Sequence, residues 1–367
     1  MQNLLETNVL IVGGGPAGTS AALSLLKYSD LKVTIVEETN LESIKIGEQV
    51  NSSIFDLLTY MGIEKDSFDQ NNFIQGYSST AAWGSDRMMI RDSIFNTETE
   101  SFQLNREEFD YMLLEKVSEK GGIIFPRTKC LKFDQDENDE WIVELKHETK
   151  GNFTIKAKYL IDATGRLGSI CRKIGVESKR YDELTAIGKF FYFDESQTIK
   201  QDIIIESIED GWWYCASLPN HKMTLTFFSD ANFIKEKRLE KTENWNELLL
   251  KTKHIKHKIS EASSEGKPWV KNAFSQVSDI SSKKNFLAVG DAVASFDPIS
   301  SMGIGFAISS ACHAAKAIID ADFGHENTFR SYQENINAIY SQYLQTKTFF
   351  YRKEQRWNDS AFWQKRI

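Results

Sequence analysis

The chain has 367 residues, 41% hydrophobic and 26% charged, with a formal net charge of -8. That length suggests one large domain or two intimately joined ones, and the acidic balance argues against nucleic acid as the main partner. The four cysteines, Cys130, Cys171, Cys215 and Cys312, form no CxxC pair and no metal-ligand spacing, so neither a disulfide scaffold nor a metal site is expected. No apolar run approaches the ~20 residues that span a bilayer. With no basic leader at the N-terminus, a cytoplasmic protein with free thiols and no membrane contact is expected.

In chain order, Val9 to Gly13 (VLIVG) reads as a buried parallel strand, Ala17 to Lys27 as a helix after a glycine turn, and Lys32 to Glu37 as a second buried strand. A helix is expected over about Arg106 to Lys120, then strands near Ile123–Phe125, Trp141–Lys146 and Phe153–Lys156, and another buried strand at Tyr159 to Ala163. Asp202–Glu206, Trp212–Ser217 and Met223–Phe228 alternate, and read as antiparallel strands of a second layer that covers a ligand with one face. Phe286 to Gly290 returns to the buried parallel type, and the apolar helix Gly303 to Ala321 follows. The tail beyond Glu326 reads as helical, rich in aromatics and bases.

Gly13-x-Gly15-x-x-Gly18 follows the first strand and opens the first helix. Gly13 makes the tight turn, Gly15 admits a pyrophosphate to the backbone, and Gly18 lets helix and strand pack closely. Pro16 and Ala17 start the helix, whose free N–H groups suit phosphate. Glu37, with Glu38 beside it, ends the second strand where an acid takes ribose hydroxyls. This motif alone leaves NAD and FAD both open.

Two further motifs choose between them. Asp162-Ala163-Thr164-Gly165-Arg166 ends the Tyr159 strand. Gly290-Asp291 ends the Phe286 strand, ahead of Asp297-Pro298 and Ser301-Met302-Gly303-Ile304-Gly305. Here nearly the whole chain resembles the flavoprotein hydroxylase superfamily, which includes aromatic hydroxylases, tryptophan halogenases and geranylgeranyl reductases. The resemblance implies FAD as cofactor and an α/β fold: a Rossmann-like FAD-binding domain of the glutathione reductase/p-hydroxybenzoate hydroxylase type. An antiparallel β-sheet substrate domain is inserted and a helical tail follows. The expected division is 1–75, 100–184 and 272–325 for FAD, 76–99 and 185–271 for the substrate-covering sheet, and 326–367 for the tail. The resemblance places Asp291 on the ribityl chain and Gly303, Ile304 and Gly305 against the isoalloxazine, where a helix N-terminus favours the charge of reduced flavin. Gly47, Arg106, Asp162, Gly165, Gly290 and Pro298 join the expected FAD set. Without a second GxGxxG after a strand, no dedicated NAD(P)H domain is expected.

Ile46 to Val50 (IGEQV) and Arg352 to Arg366 look like the tryptophan-halogenase side of the superfamily. The halogenase Trp-x-Trp-x-Ile-Pro signature is broken, however: Tyr214-Cys215-Ala216-Ser217-Leu218-Pro219 stands there. The segment Asn71 to Trp83, expected to hold the halogenase lysine, has none, and Pro298-Ile299-Ser300-Ser301 has serine where a glutamate is expected. Halogenation is therefore not expected. The reductase pattern Tyr-x-Trp-x-Phe-Pro matches at Tyr214 and Pro219 but meets Ala216 in place of tryptophan.

The Gly211 to Pro219 stretch (GWWYCASLP) is similar to that of flavoproteins that build cysteine tryptophylquinone in amino-acid oxidases such as lysine ε-oxidase and glycine oxidase. That resemblance implies hydroxylation of a tryptophan in a partner precursor, fed by molecular oxygen and an external reductant, at an open groove. A small-molecule aromatic hydroxylase, a prenyl-type reductase and a non-catalytic flavin-bearing chaperone remain open. Pocket candidates are Tyr214, Ala216, Pro298, Ser300 and Ser301; Trp212 and Tyr214 share one strand face and Trp213 takes the other. His221 and His313 read as structural or surface groups. Tyr351, Arg352, Arg356, Trp357, Phe362 and Trp363 either pack against the body or line a protein-docking mouth.

Overall fold

The computed structural model describes residues 4–40, 45–64, 72–76, 78–90, 100–197, 199–264 and 266–366. The elements that carry the site are, in order, β1 (Leu4–Val12), α1 (Pro16–Tyr28), β2 (Val33–Val36), α2 (Arg106–Glu119), β3 (Ile123–Phe125), β4 (Thr128–Gln135), β5 (Trp141–His147) and β6 (Gly151–Asp162). They continue with β7 (Leu184–Tyr192), β8 (Asp202–Ile208), β9 (Gly211–Leu218), β10 (Lys222–Asp230), β11 (Phe286–Ala288), α3 (Gly303–Asp322) and α4 (Thr328–Tyr351).

The first sheet runs β3-β2-β1-β6-β5-β4, with β11 also on β6. Its β3, β2, β1, β6 and β11 strands are mutually parallel. Residues Val9 to Val12, Val33 to Val36 and Phe286 to Ala288 are buried throughout, because parallel strands are covered on both faces. The register aligns Val12 with Val36 and with Asp162, and Asp162 with Ala288. Three sequence motifs therefore end at one carboxyl edge, where α/β sheets bind ligands.

The two strands expected at 153–156 and 159–163 are one 12-residue strand, β6. Its first half pairs antiparallel with β5 and is only partly covered, while its last residues pair with β11 and are buried. The change of environment breaks the apolar pattern without breaking the strand. Strand β4 was not anticipated, since most of its residues are exposed and its pattern is weak.

The second sheet has seven strands in the order Trp269–Asn272, β7, β10, β9, β8, Ser78–Ala82, Met89–Ile90. All pairings are antiparallel except β8 with Ser78–Ala82. One face packs Trp213, Cys215, Leu225 and Phe227 against Trp245 and Leu248. The other packs Trp212, Phe228 and Trp269 with Tyr351, Phe362 and Trp363. Helix α4 buries Tyr332, Ile336, Tyr340, Tyr343, Lys347 and Tyr351, spaced three or four apart as one helical face requires. Among the described residues, no helix is long and apolar enough to cross a membrane.

Candidate active site

A cavity of about 480 Å³ lies between the carboxyl edge of the first sheet and the Trp212 face of the second. Its wall includes Gly15, Pro16 and Ala17 of the first turn, Gly47 and Arg106, Gly165 after β6, Asp291 after β11, and Pro298, Ser301, Gly303 and Ile304 before and in α3. Tyr214 faces it from the second sheet.

The glycines divide by role. A Cβ on Gly13 would stand 2.2 Å from the Ala163 oxygen, and one on Gly18 would stand 1.9 Å from the Gly13 oxygen. Both serve close packing and lie outside the wall. A Cβ on Gly15 would meet nothing within 4 Å, so that position opens onto the cavity. Gly290, at φ +58, would bring a Cβ to 2.8 Å from that of Ala17; it lets α1 and α3 approach, and its N–H donates to Ser310 Oγ (2.9 Å). Helix α1 starts with Pro16 and has no side-chain cap and no acid in its first turn, and α3 likewise begins uncapped. Two sets of first-turn N–H groups at the cavity are thus left for an anionic ligand.

Arg106 is locked in place. It donates through Nε and Nη2 to Asp110 (3.0 Å each) and through Nη1 to the carbonyls of Ile46 (2.6 Å) and Gly47 (2.8 Å). The clamp fixes the loop that carries Glu48 and Gln49 onto the cavity wall. Gln49 in turn accepts from Ser301 Oγ (2.9 Å). Burial pushes the Glu48 pKa up to about 7, against the opposing charges of Arg106 and Lys222.

On the second sheet, Trp212 stacks on Phe228 with centroids 4.0 Å apart, and both line the cavity with Tyr214, Thr226 and Trp269. Trp213 is on the opposite face, as alternation requires. The indole N–H of Trp269 is buried and has no acceptor among the described residues.

The acidic groups are engaged differently. Asp291 accepts from Arg166 Nε (3.1 Å), whose other nitrogens donate to the carbonyls of Phe274 and Phe296. Asp297 is buried and accepts from Tyr351 Oη (2.8 Å) and Ile299 N–H (3.0 Å), with Lys347 Nζ 4.0 Å away. Burial raises its pKa, opposed by Lys347.

Several expected site residues stand elsewhere. Asp162 is fully buried and accepts from the backbone of Thr164, Ile170 and Cys171, so it builds the turn after β6 and does not reach the wall. Glu37 accepts from the N–H groups of Gly14 (2.7 Å) and Thr39 (2.8 Å), bracing the glycine turn from outside the wall. Glu38 points outward to Lys129 (2.9 Å). Ala216 is buried between Ile203 and Thr224, farther along β9 than the cavity extends. Ser300 turns back on the Asp297 carbonyl (2.8 Å), and Gly305, within the first turn of α3, is not on the cavity wall.

The tail packs. Tyr351, Phe362 and Trp363 are buried, Arg366 pairs with Asp230 (2.6 Å), and Arg356 is held by Glu354, Ser207 and Asp86. Trp357 lies parallel to Trp363, and Arg352 alone of the six candidates is exposed. The docking role considered for this group is set aside, since its aromatics and Arg356 are consumed by contacts within the chain. Wall residues that sequence reasoning missed include Glu48, Gln49, Trp269, Lys271, Asp297 and, as a site group, Arg166.

The open glycine position, the two uncapped helix starts and the Arg106-clamped loop fit a dinucleotide with a charged ring system. The family of FAD binding domains matches residues 6–346. The chain belongs to this FAD-binding family. It is 38% identical over 360 residues to LodB of Marinomonas mediterranea, named as an FAD-dependent oxidoreductase, covering 98% of this chain and 96% of that one. Among solved structures, the flavin-dependent halogenase CmlS superposes with a TM-score of 0.83 at 26% identity, covering 98% of this chain and 67% of the other. The peptidyl tryptophan dihydroxylase QhpG, essential for tryptophylquinone cofactor biogenesis, shares the fold: TM-score 0.72, 19% identity, 98% and 78% coverage. The protein is thus an FAD-dependent oxidoreductase of the halogenase-like flavoenzymes, with a Rossmann-type α/β fold and a helical C-terminal region.

Proposed function

We propose that this flavoenzyme hydroxylates a tryptophan side chain of a partner precursor protein, as a step in building a tryptophan-derived quinone such as cysteine tryptophylquinone. The observation that carries the reading is the GWWYCASLP stretch, Gly211 to Pro219, with its likeness to quinone-building flavoproteins; the end-to-end likeness to LodB, named as an FAD-dependent oxidoreductase, 38% over nearly the full length of both chains, agrees with it. The shared fold with QhpG, whose substrate is a peptidyl tryptophan, supports it. So does the aromatic wall of Trp212, Tyr214, Phe228 and Trp269, whose flat faces suit an indole.

In this reading the pyrophosphate of FAD would lie at Gly15, Pro16 and Ala17, and Asp291 would take the ribityl hydroxyls, while Glu37 braces the glycine turn that receives the pyrophosphate. Gly47, Gly303 and Ile304 flank the ring system. When bound, FAD supplies two-electron activation of molecular oxygen, with electrons from an external reductant. The protein's own residues orient the indole, exclude water and manage protons. Halogenation is disfavoured by the lack of a lysine in Asn71 to Trp83; among the described residues Lys271 is the one lysine on the cavity wall, and it is exposed.

The test compares oxygen consumption by the reduced holoenzyme with the oxidase precursor and with free tryptophan, alongside the mass of the tryptophan peptide. Precursor-dependent consumption with added oxygen mass is expected. Equal turnover of free tryptophan would favour a small-molecule hydroxylase, and binding without consumption would favour a chaperone.

A further inference from the structure

The second sheet ends in the strand Trp269–Asn272, which pairs with β7 and, among the described residues, with nothing on its outer side. Register fixes how this edge meets the cavity. One row crosses the sheet through Trp212, Phe228, Ala186 and Lys271. The next crosses it through Tyr214, Thr226, Gly188 and Trp269. Residues in register share a face, and every member of both rows except Gly188 is on the cavity wall. Gly188 is covered by its neighbour, since a Cβ there would stand 2.5 Å from the Trp269 ring. The wall therefore runs on to the edge of the sheet, where Lys271 and Asn272 are exposed.

The hydrogen bonds decide what the edge offers. The Ala273 N–H donates to the Leu184 carbonyl (2.9 Å), so alternation turns the backbone of Trp269 and Lys271 inward to β7 and that of Val270 and Asn272 outward. The Ala231 N–H donates to the Glu183 carbonyl (3.2 Å), which gives β7 the matching alternation toward β10. Pro268, at the outward position before Val270, has no N–H to give, so pairing is confined to Val270 and Asn272. Val270 is itself 47% exposed. Lys271 is the one charge on the strand, lies on the cavity side, and makes no ion pair among the described residues.

We propose that the Trp269–Asn272 edge docks the substrate segment of the partner precursor as an added β-strand, with its tryptophan opposite Trp269 and an acidic residue two places along opposite Lys271. This deepens the hydroxylation reading and rests on it. Val270 and Asn272 hold the segment by its main chain, and its alternate side chains enter on the cavity face. The main-chain bonds suit any extended segment; the aromatic wall and Lys271 select one that carries an indole and a carboxylate. Free tryptophan has no strand to add and gains none of this binding.

The test uses full-length holoenzyme and the oxidase precursor. Amide hydrogen exchange of the wild type should show the Val270 and Asn272 N–H groups exchanging freely in the enzyme alone, protected when the precursor is added, and unaltered by free tryptophan. Val270→Pro removes an outward donor without touching an inward bond. It should keep FAD absorbance and melting temperature, and raise KM for the precursor about tenfold with little change in kcat. Lys271→Glu should raise KM as well. Exchange is read on the wild-type chain, so the result stands whether or not the proline variant folds. A precursor that is oxygenated without protecting the edge, or a folded Val270→Pro enzyme with wild-type KM, overturns the docking and leaves hydroxylation standing. Protection that grows with enzyme concentration alone assigns the edge to a second copy of this chain and also overturns it. Precursor-dependent protection with no oxygen added supports the docking and overturns the hydroxylation reading.

Discussion

Trp212 donates its indole N–H to the Tyr351 hydroxyl (3.1 Å), which itself donates to Asp297 Oδ2 (2.8 Å). The strand that walls the cavity is thereby tied, through the last residue of α4, to the loop that precedes the α3 N-terminus. Tyr343 extends the network by accepting from the Asp297 N–H (2.7 Å), and Lys347 links it to Asp182. The tail is part of the site's frame.

Tyr351→Phe should therefore leave the Trp212 N–H without an acceptor and Asp297 Oδ2 without its hydrogen-bond donor in a buried place, costing about 1–3 kcal/mol. Truncation after Gln345 removes Tyr351, Phe362 and Trp363 together, and thermal stability and FAD should be lost in the same sample. Melting followed by flavin fluorescence and by circular dichroism reads both. A truncated protein that keeps its melting temperature and its FAD would show that the tail is dispensable to the frame.

The fingerprint glycines should separate experimentally. Gly15 has φ -77, a conformation open to any residue, and free space where a Cβ would go. Gly15→Val should fold and melt as wild type does, yet bind FAD poorly because the side chain fills the pyrophosphate approach. Gly18→Ala puts a methyl 1.9 Å from the Gly13 oxygen and should lower the yield of folded protein itself. Titration of FAD into each cofactor-free protein distinguishes them; tight FAD binding by Gly15→Val would contradict the placement.

Much of the fold was readable because parallel strands covered on both faces leave unbroken apolar runs, as at Val9 to Val12 and Phe286 to Ala288. The glycine motifs located the carboxyl edge for the same local reason. What was not readable depended on distant partners. Nothing in the adjacent pair Glu37–Glu38 says which one turns toward the glycine loop and which toward Lys129. Asp162 was placed with the cofactor because its motif is there, but its oxygens are consumed by N–H groups two to nine residues later. Glu48 was visible in IGEQV, yet its burial depends on Arg106, some sixty residues on, holding its loop.

Glu48 should also mark the stability curve of the cofactor-free protein. Its folded pKa of about 7 lies above the ordinary 4.5, so the proton is held more tightly in the native state. The stability it contributes is full below about pH 4.5 and is lost as pH rises through about 7, by up to about 3 kcal/mol at pH 8. Glu48→Gln should be relatively more stable than wild type at pH 8 than at pH 5 in urea melts. An identical difference at both pH values would mean that Glu48 is ionised at both.

Supplying halide with free tryptophan, a flavin reductant and oxygen should yield no halotryptophan by mass spectrometry. The reason is chemical: delivery of a halogenating species needs a buried lysine beside the substrate, and neither Asn71 to Trp83 nor the rim residue Lys271 provides one. Turnover above background would place the protein among the halogenases in function as well as in fold.

The most direct test of the hydroxylation reading is isotopic. The reduced holoenzyme should be given the oxidase precursor under ¹⁸O-labelled oxygen, and the tryptophan peptide then sequenced by mass spectrometry. The account predicts ¹⁸O on one tryptophan side chain, dependent on bound FAD and lost in the Gly15→Val enzyme. A precursor that acquires no label while the flavin reoxidises normally would contradict it.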